Sequence, residues 1–496
     1  MSEPLARRLP VELRADPARV VAQLFIPGEQ PHQTRSRVAA IVDRVMALDE
    51  ADVEQRAARL VNDFRDRHHD YVGLLTRHAA IAAAHLDDPA RLSPARTLVL
   101  GAGFTAEYAT ESAGLCNPSA VVHPDQSDLE PGQLRVAVSL RAIGEGHVSS
   151  IGFATAIIGP DTTWTFIDRD RPIVMGEISP ARWSNSQLRS VLNDHTEATA
   201  RGGVDELSNA LLLALPDHFD STDLERVLAA APVGLLSRPG ASATTELLRR
   251  TVSSAYQVEF PPDTTLAQRV LRPAAAEESD GMEDARFTRF IGSDGAVEYR
   301  ATYTAYDGRQ VAPRLLLSAD LRRFRTHRLA GPAAGNKGMA LFPRLVRGRH
   351  LALCRTDGEN ISLTAPLDGY TWSQPHLVHG PTQVWEMLQV GNCGPPIETD
   401  RGWLVLTHGV GPMRSYAISA ILLDLDDPSR VIGRLTQPLL EPDPDERDGY
   451  VPNVVYTCGG LIHDQRLWLP YGIDDCRVGV AWAPLERLLT QLTAPV

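Results

Sequence analysis

Cysteine is scarce in this chain: five residues in 496, at positions 116, 354, 393, 458 and 476, odd in number and without a CxxC pair. That excludes a disulfide framework and a zinc knuckle, and it implies reduced thiols in a cytoplasmic setting. Long apolar runs are missing as well. No stretch of about 18 apolar residues occurs, and the N-terminal MSEPLARRLPVELRADPARV has no apolar h-region, so neither a membrane span nor a cleaved signal is expected. Positive charge is in deficit: 49 Lys and Arg against 62 Asp and Glu leave a net charge of −13. Such a surface repels a polyphosphate backbone, which excludes bulk nucleic-acid binding. What is present is an ordinary globular composition, 43% hydrophobic and 22% charged, in a chain long enough for two or three domains at roughly 150 residues each.

Apolar positions at three- and four-residue spacing (Val38, Ile41, Val42, Val45, then Val53, Ala57, Leu60, Val61, Phe64) predict helices over about 35 to 86. Asp49 is the expected N-cap of the second, and His68–His69 are expected as solvated helix-end residues. From residue 97 the texture changes to short strands: TLVLGAGF, AVVHPD, LRVAVSL, SSIGFATAIIG and WTFIDRD, divided by Pro, Gly and Asp turns. Helical periods return from about 186 to 256, and strands resume to about 482. Four segments, starting near 284, 340, 395 and 452, each hold an apolar strand, a Gly or Asp turn and a second apolar strand; their spacing of roughly 55 residues is a little above that of propeller blades. Asn117 to Asp168 supplies a fifth unit. The predicted architecture is mainly β: a five-bladed β-propeller over 97–496, with a helical insertion at about 186–256 and an N-terminal α-helical region over 1–96. The TLVLGAGF strand is a candidate to complete the last blade. A β-sandwich does not account for so even a repeat.

Gly101-Ala-Gly103-Phe-Thr-Ala106 matches GxGxxA, but a dinucleotide site also needs a βαβ unit, and Asn117-Pro118 breaks the chain soon afterwards. In a propeller the inner strands converge on one site, so polar residues are sought at corresponding strand ends. Glu283-Asp284, Arg141, His408 and Asp475 stand in such places.

Several segments carry a resemblance. GMEDARFTRF followed by YRATYTAYDG resembles the ED-P-R and TYTAYDG signature of glycoside hydrolase family 130, the β-mannoside phosphorylases and β-mannosidases. CNPSAVVHPD, SLRAIGEGHVSSIGFATA, NKGMALFPRLVRGRHLALCR, GPPIETDRGWLVLTHGV, YAISAILLDLDDPSRVIGRLTQPLLEP, VPNVVYTCG and YGIDDCRVGVA follow in the family's order from about 115 to 482. Ala285 replaces the motif's proline, and the helical N-terminus and the insertion are departures from compact members. The resemblance implies that Asp284 is the acid, acting through a mannose hydroxyl with inversion at the anomeric carbon. It further implies that Arg141 and Asp475 hold hydroxyls of the transferred sugar, with Asn117, Ser149 and Glu283 in the same substrate-binding set. Arg309 or Arg314, Lys337, His408 and Tyr416 resemble the residues that hold phosphate.

Glycosidic cleavage needs a proton for the leaving oxygen and a nucleophile on the opposite face of the sugar. Water needs a carboxylate base, for which Glu386 and Glu398 are the candidates; phosphate, already anionic, needs a cationic cradle. The cationic set favours reversible phosphorolysis of β-mannosides, β-1,2-linked manno-oligosaccharides above all, to mannose 1-phosphate. A hydrolase of the same family is the alternative, and a non-catalytic carbohydrate-binding propeller a second. Inorganic phosphate is the expected co-substrate, with no cofactor and no metal, since His327, His350, His376 and His379 lack ligand-spaced partners and are expected at surfaces or turns. The helical additions are expected to pack together beside the propeller or to serve a homo-oligomer contact.

Overall fold

The computed structural model describes residues 4–28, 36–84, 92–167, 169, 171–198, 206–367 and 370–492. The chain is mainly β and divides into two compact units: Met1–Ala15, Ala113–Arg169 and Gly176–Val496 form the larger, and Asp16–Ser112 with Asp170–Met175 the smaller. Among the described residues no helix is long and apolar enough to cross a membrane.

Among the described residues the larger unit's main strands fall into antiparallel groups, called sheets here in sequence order; a parallel bridge between Ser149 and Gly281 joins the first two into one twelve-stranded sheet. The first joins Gly114–Val122, Leu134–Ile143, Ser149–Gly159 and Thr163–Phe166. The second joins Gly281–Ile291, Val297–Tyr306, Val311–Ser318 and Arg323–Arg328, and is extended by Tyr256–Glu259 and Glu177–Pro180. Ala340–Leu341, Ala352–Cys354, Ile361–Thr364 and His376–His379 make the third. The fourth is built on Gly402–Val410 and Tyr416–Leu423, the fifth on Arg466–Ile473 and Arg477–Pro484. Gly402–Val410 is buried along its whole length, which is why GWLVLTHGV reads as a continuous apolar run rather than an alternating one. Between the last two strands of the fifth sheet, Asp474 and Asp475 both have positive φ (52° and 53°), the backbone a tight hairpin of this hand requires and Asp tolerates.

Two expectations are corrected here. TLVLGAGF does not form a strand: Pro94–Gly103 is a helix, capped by the Ser93 side chain and started by Pro94, and it belongs to the smaller unit. A short apolar run carries too little periodicity to separate strand from helix, and the Ser-Pro start decides for helix. The outermost strand of the fifth sheet is instead Arg7–Arg14, paired with Arg477–Pro484. The compact units divide between Ser112 and Ala113 rather than at 96/97, and the strand Arg7–Arg14 lies in the β unit.

The smaller unit packs the helices Arg37–Met46, Glu50–Phe64, Tyr71–Ala83 and Pro94–Gly103 with a strand pair, Val20–Leu24 and Thr105–Ala109. Asp49 caps the second helix, accepting from Ala51 N at 2.9 Å. Gly101 serves packing: a Cβ there would lie 2.0 Å from the Leu75 carbonyl, so two helices touch at this point. His68 is not a solvated helix end; it is buried, with Nε2 2.6 Å from Glu107. The insertion, with helices from Asn185–Ala198 to Ala241–Ser253, encloses a core of its own around Trp183, Leu188, Leu211, Phe219 and Leu248. The smaller unit likewise buries Val42, Ala79, Leu100 and Phe104. Each helical region thus has a buried core of its own, while Ile81 in the smaller unit and Leu213 and Val233 in the insertion remain exposed.

Candidate active site

Two β-bulges build the centre of the site. The register of Gly281–Ile291 slips between Glu283 and Arg286, and that of Gly114–Val122 slips between Cys116 and Ser119. The residues left over, Asp284 and Asn117, take positive φ (55° and 49°). A bulge removes its extra residue from the ladder and re-aims the side chain, and here both side chains meet: Asn117 Nδ2 donates to Asp284 Oδ1 at 2.6 Å. Left-handed backbone at such residues costs roughly 1–3 kcal/mol each, a strain that persists because the flanking strands fix it.

Cations surround this pair. Arg286 donates from Nη1 to the Asp284 carbonyl at 2.9 Å and from Nη2 to the Tyr456 hydroxyl at 2.9 Å, and Nη2 lies 3.9 Å from Asp284 Oδ2. Arg141 Nη1 is 3.6 Å from Asp284 Oδ1, its Nη2 donates to Glu283 at 2.6 Å, and its Nε donates to Ser149 Oγ at 2.9 Å. Lys337 pairs with the other oxygen of Glu283. Burial pushes the Asp284 carboxyl up, but Arg141, Arg286, Lys337 and the Asn117 amide outweigh it and hold it below the usual aspartate range. Asp475 goes the other way: burial raises it against the pull of Arg141, and the charge of Asp284 adds to the rise.

On the fourth sheet, His408 Nε2 lies 3.0 Å from Arg355 Nη1. A guanidinium only donates, so Nε2 offers its lone pair and the imidazole is neutral. Burial, with Arg355 and Arg286 adding to it, pushes His408 well below its ordinary value, in agreement. The Tyr416 ring stacks on His408 at 6.0 Å and 7°. Arg355 Nε is buried without a partner among the described residues.

These groups share one cavity of about 220 Å³. Asn117, Arg141, Asp284, Lys337, His408, Tyr416 and Asp475, all expected from the sequence, line it. Glu283 and Ser149 engage Arg141, so their part is to orient it. Two expected phosphate ligands are corrected. Arg309 is exposed in the turn after Asp307, and Arg314 is fully buried between Glu277, Glu278 and the Ser254 carbonyl, where its charge is already answered. Neither base candidate lines the cavity: buried Glu386 accepts from the Thr382 and Gln383 amides, and Glu398 is forked onto Arg344. His327 and His379, expected at surfaces or turns, are buried.

The sequence reasoning missed Arg355, Arg414 and Tyr456 in the lining and Arg286 beside it. Arg286 and Arg355 stood inside the family-like segments. A plainer signal was composition: Lys337 is the only lysine in the chain, so the other 48 of the 49 basic side chains are arginines. Where nearly all positive charge is guanidinium, a lone ammonium in the cavity marks a place that uses a compact point charge with rotatable donors.

The fold and cavity define a β-sheet protein whose buried, bulge-borne carboxylate faces an anion-receptive wall. The family model of glycoside hydrolase family 130, described as beta-1,4-mannooligosaccharide phosphorylase, matches residues 262–494. The chain is 34% identical over 219 residues to a 1,2-beta-oligomannan phosphorylase of Thermoanaerobacter sp. (strain X514), covering 43% of this chain and 71% of that protein. It is 33% identical over 216 residues to a beta-1,2-mannobiose phosphorylase of the same organism, covering 43% and 70%. The solved structure of a beta-1,2-mannobiose phosphorylase from Listeria innocua aligns over 78% of this chain and 93% of its own, at 20% identity and a TM-score of 0.44. The chain belongs to glycoside hydrolase family 130.

Proposed function

We propose that this enzyme is an inverting β-mannoside phosphorylase, cleaving β-1,2-linked manno-oligosaccharides with inorganic phosphate to give mannose 1-phosphate, reversibly. The five sheets are read as the blades of a propeller with the cavity at its centre. The observation that carries the reaction is the charge of the site. Five cationic side chains (Arg141, Arg286, Lys337, Arg355, Arg414) face three carboxylates (Glu283, Asp284, Asp475), while His408 is neutral. A surplus of two positive charges fits a phosphate dianion; activation of water calls for a carboxylate left free to act as base, and Asp475, the other carboxylate of the lining, is taken up by the sugar in this reading.

In this scheme the mannosyl unit to be transferred lies against Asn117, Arg141 and Asp475. Phosphate lies against Lys337, Arg355, Arg414 and Tyr416, with His408 fixing the Arg355 guanidinium. A phosphate oxygen attacks the anomeric carbon, the glycosidic C–O bond breaks, and the leaving oxygen takes a proton that originates on Asp284 and passes through a mannose hydroxyl. The cations that depress Asp284 in the free site are partly offset once the dianion is bound, so its proton affinity rises as the substrates assemble. Incubation with β-1,2-mannobiose tests this. Mannose 1-phosphate is expected with phosphate, and phosphate release is expected when mannose 1-phosphate and mannose are supplied instead. Free mannose formed equally with and without phosphate means a hydrolase, and no product from any β-mannoside means a binding module.

A further inference from the structure

Beside the polar cavity stands an aromatic pair that the scheme above does not use. His147 and Tyr450 stack with ring centroids 5.6 Å apart and planes 20° apart, and the Tyr450 hydroxyl lies 3.1 Å from His147 Nδ1. They come from chain segments 303 residues apart, each tied to a site residue. His147 ends the turn between the strand carrying Arg141 and the strand opened by Ser149, and Gly146 and His147 both hold positive φ there (70° and 62°). Tyr450 precedes Val451, a lining residue of the cavity, and its segment is fastened to the turn that carries Asp475: Tyr450 N donates to Cys476 Sγ at 3.0 Å and Val451 N to the Asp474 carbonyl at 3.0 Å. Gly449 permits this approach, since a Cβ there would lie 2.3 Å from the Asp474 side chain. Despite these ties Tyr450 remains 48% exposed, an aromatic surface held still in solvent.

We infer that the His147–Tyr450 pair is the platform for the sugar unit next to the scissile bond on the acceptor side, and so a determinant of which acceptor is used; this rests on the glycoside-cleaving function proposed above. Aromatic faces bind the C–H faces of pyranose rings while their polar edges remain available to hydroxyls, and a rigid platform spends little ordering entropy. Its place agrees with the displacement geometry. Through their segments His147 and Tyr450 are joined to Ser149 and to the turn of Asp475, on the sugar-holding side of the cavity. Tyr450's segment runs on to Asn453, whose carbonyl accepts from Tyr416 N at 2.9 Å, and only there meets the fourth sheet, whose Arg414 and Tyr416 hold phosphate in the scheme above. An inverting attack sends the leaving sugar to the side opposite phosphate.

The test uses the full chain carrying Asp284→Asn, which turns substrate over about a thousandfold more slowly, titrated calorimetrically in phosphate-free buffer with β-1,2-mannobiose and with mannose. Adding Tyr450→Ala or His147→Ala is expected to weaken mannobiose about tenfold and mannose less than twofold, with the melting temperature unchanged; Tyr450→Phe should retain most of the affinity, because the ring carries the effect. Unchanged mannobiose affinity, or equal weakening of both sugars, overturns the platform. If Asp284→Asn binds neither sugar, the platform and the mannoside function fall together. If it binds both with the expected split while the parent enzyme releases free mannose without phosphate, phosphorolysis falls and the platform stands.

Discussion

Two buried charge clusters stand on the second sheet and its approach, built from the same residue types. Around Arg314, the arginines Arg314 and Arg328 balance Glu277 and Glu278, and the hydroxyls of Tyr256 and Tyr303 donate to Glu278 at 2.8 and 2.6 Å. Around Asp284, five cations face three carboxylates and the Asn117 Oδ1 and Arg355 Nε atoms are buried without partners among the described residues. The first cluster is neutral, two arginines against two glutamates with Arg314 Nε alone of its guanidinium nitrogens left without a partner among the described residues, so its work is to hold the sheet. The second carries a charge surplus beside a cavity, a state that burial penalises unless a ligand answers it. What separates a structural arginine from a functional one here is the balance of its surroundings, not its own burial.

That comparison can be broken by substitution. The largest effect is expected for Asp284→Asn: turnover should fall about a thousandfold, within the range for removing a general acid, while the melting temperature stays close to that of the parent. Arg314→Met should do the reverse, costing about 3–5 kcal/mol of stability in urea denaturation by stranding two buried glutamates and leaving the phosphate KM of the remaining folded enzyme unchanged. Arg355→Met should raise the phosphate KM by about ten- to a hundredfold, the value of a charged hydrogen bond, with the KM for mannobiose moved far less. A pH experiment sharpens the first cluster. Burial, reinforced by Arg325 and Arg314, pushes His327 down to about 4. The unfolded chain therefore binds this proton first, and the stability His327 contributes is present above its ordinary 6.5 and lost as the pH falls towards 4. His327→Gln should flatten the fall in melting temperature over that window. Arg309→Ala, in an exposed turn, should change the phosphate KM less than twofold.

Much of the site was legible because the bulge residues sit in short polar interruptions of apolar strands: the Asn117-Pro118 and Glu283-Asp284 pairs and Asp475 stand out against buried surroundings. The choice between Arg309 and Arg314 was not legible. Both follow the same motif, and only the hairpin's geometry places one in a solvent-exposed turn and the other against two glutamates from the segment before the strand. The same limit applies to the fifth sheet, whose outermost strand comes from Arg7–Arg14, more than 460 residues away from its partner in sequence. Pairing over such a separation leaves no local pattern, whereas the misread helix at Pro94–Gly103 did carry a local signal in its Ser93-Pro94 start. Lys337 was found through its motif, yet its being the single lysine would have singled it out with no motif at all.

The central claim is that the two surplus positive charges exist to hold phosphate as the attacking group. The rate of β-1,2-mannobiose cleavage measured against phosphate concentration tests it most directly. The account predicts a saturable rate that extrapolates to zero without phosphate, with one phosphate consumed for each bond broken. A rate independent of phosphate, with free mannose as the product, would contradict it.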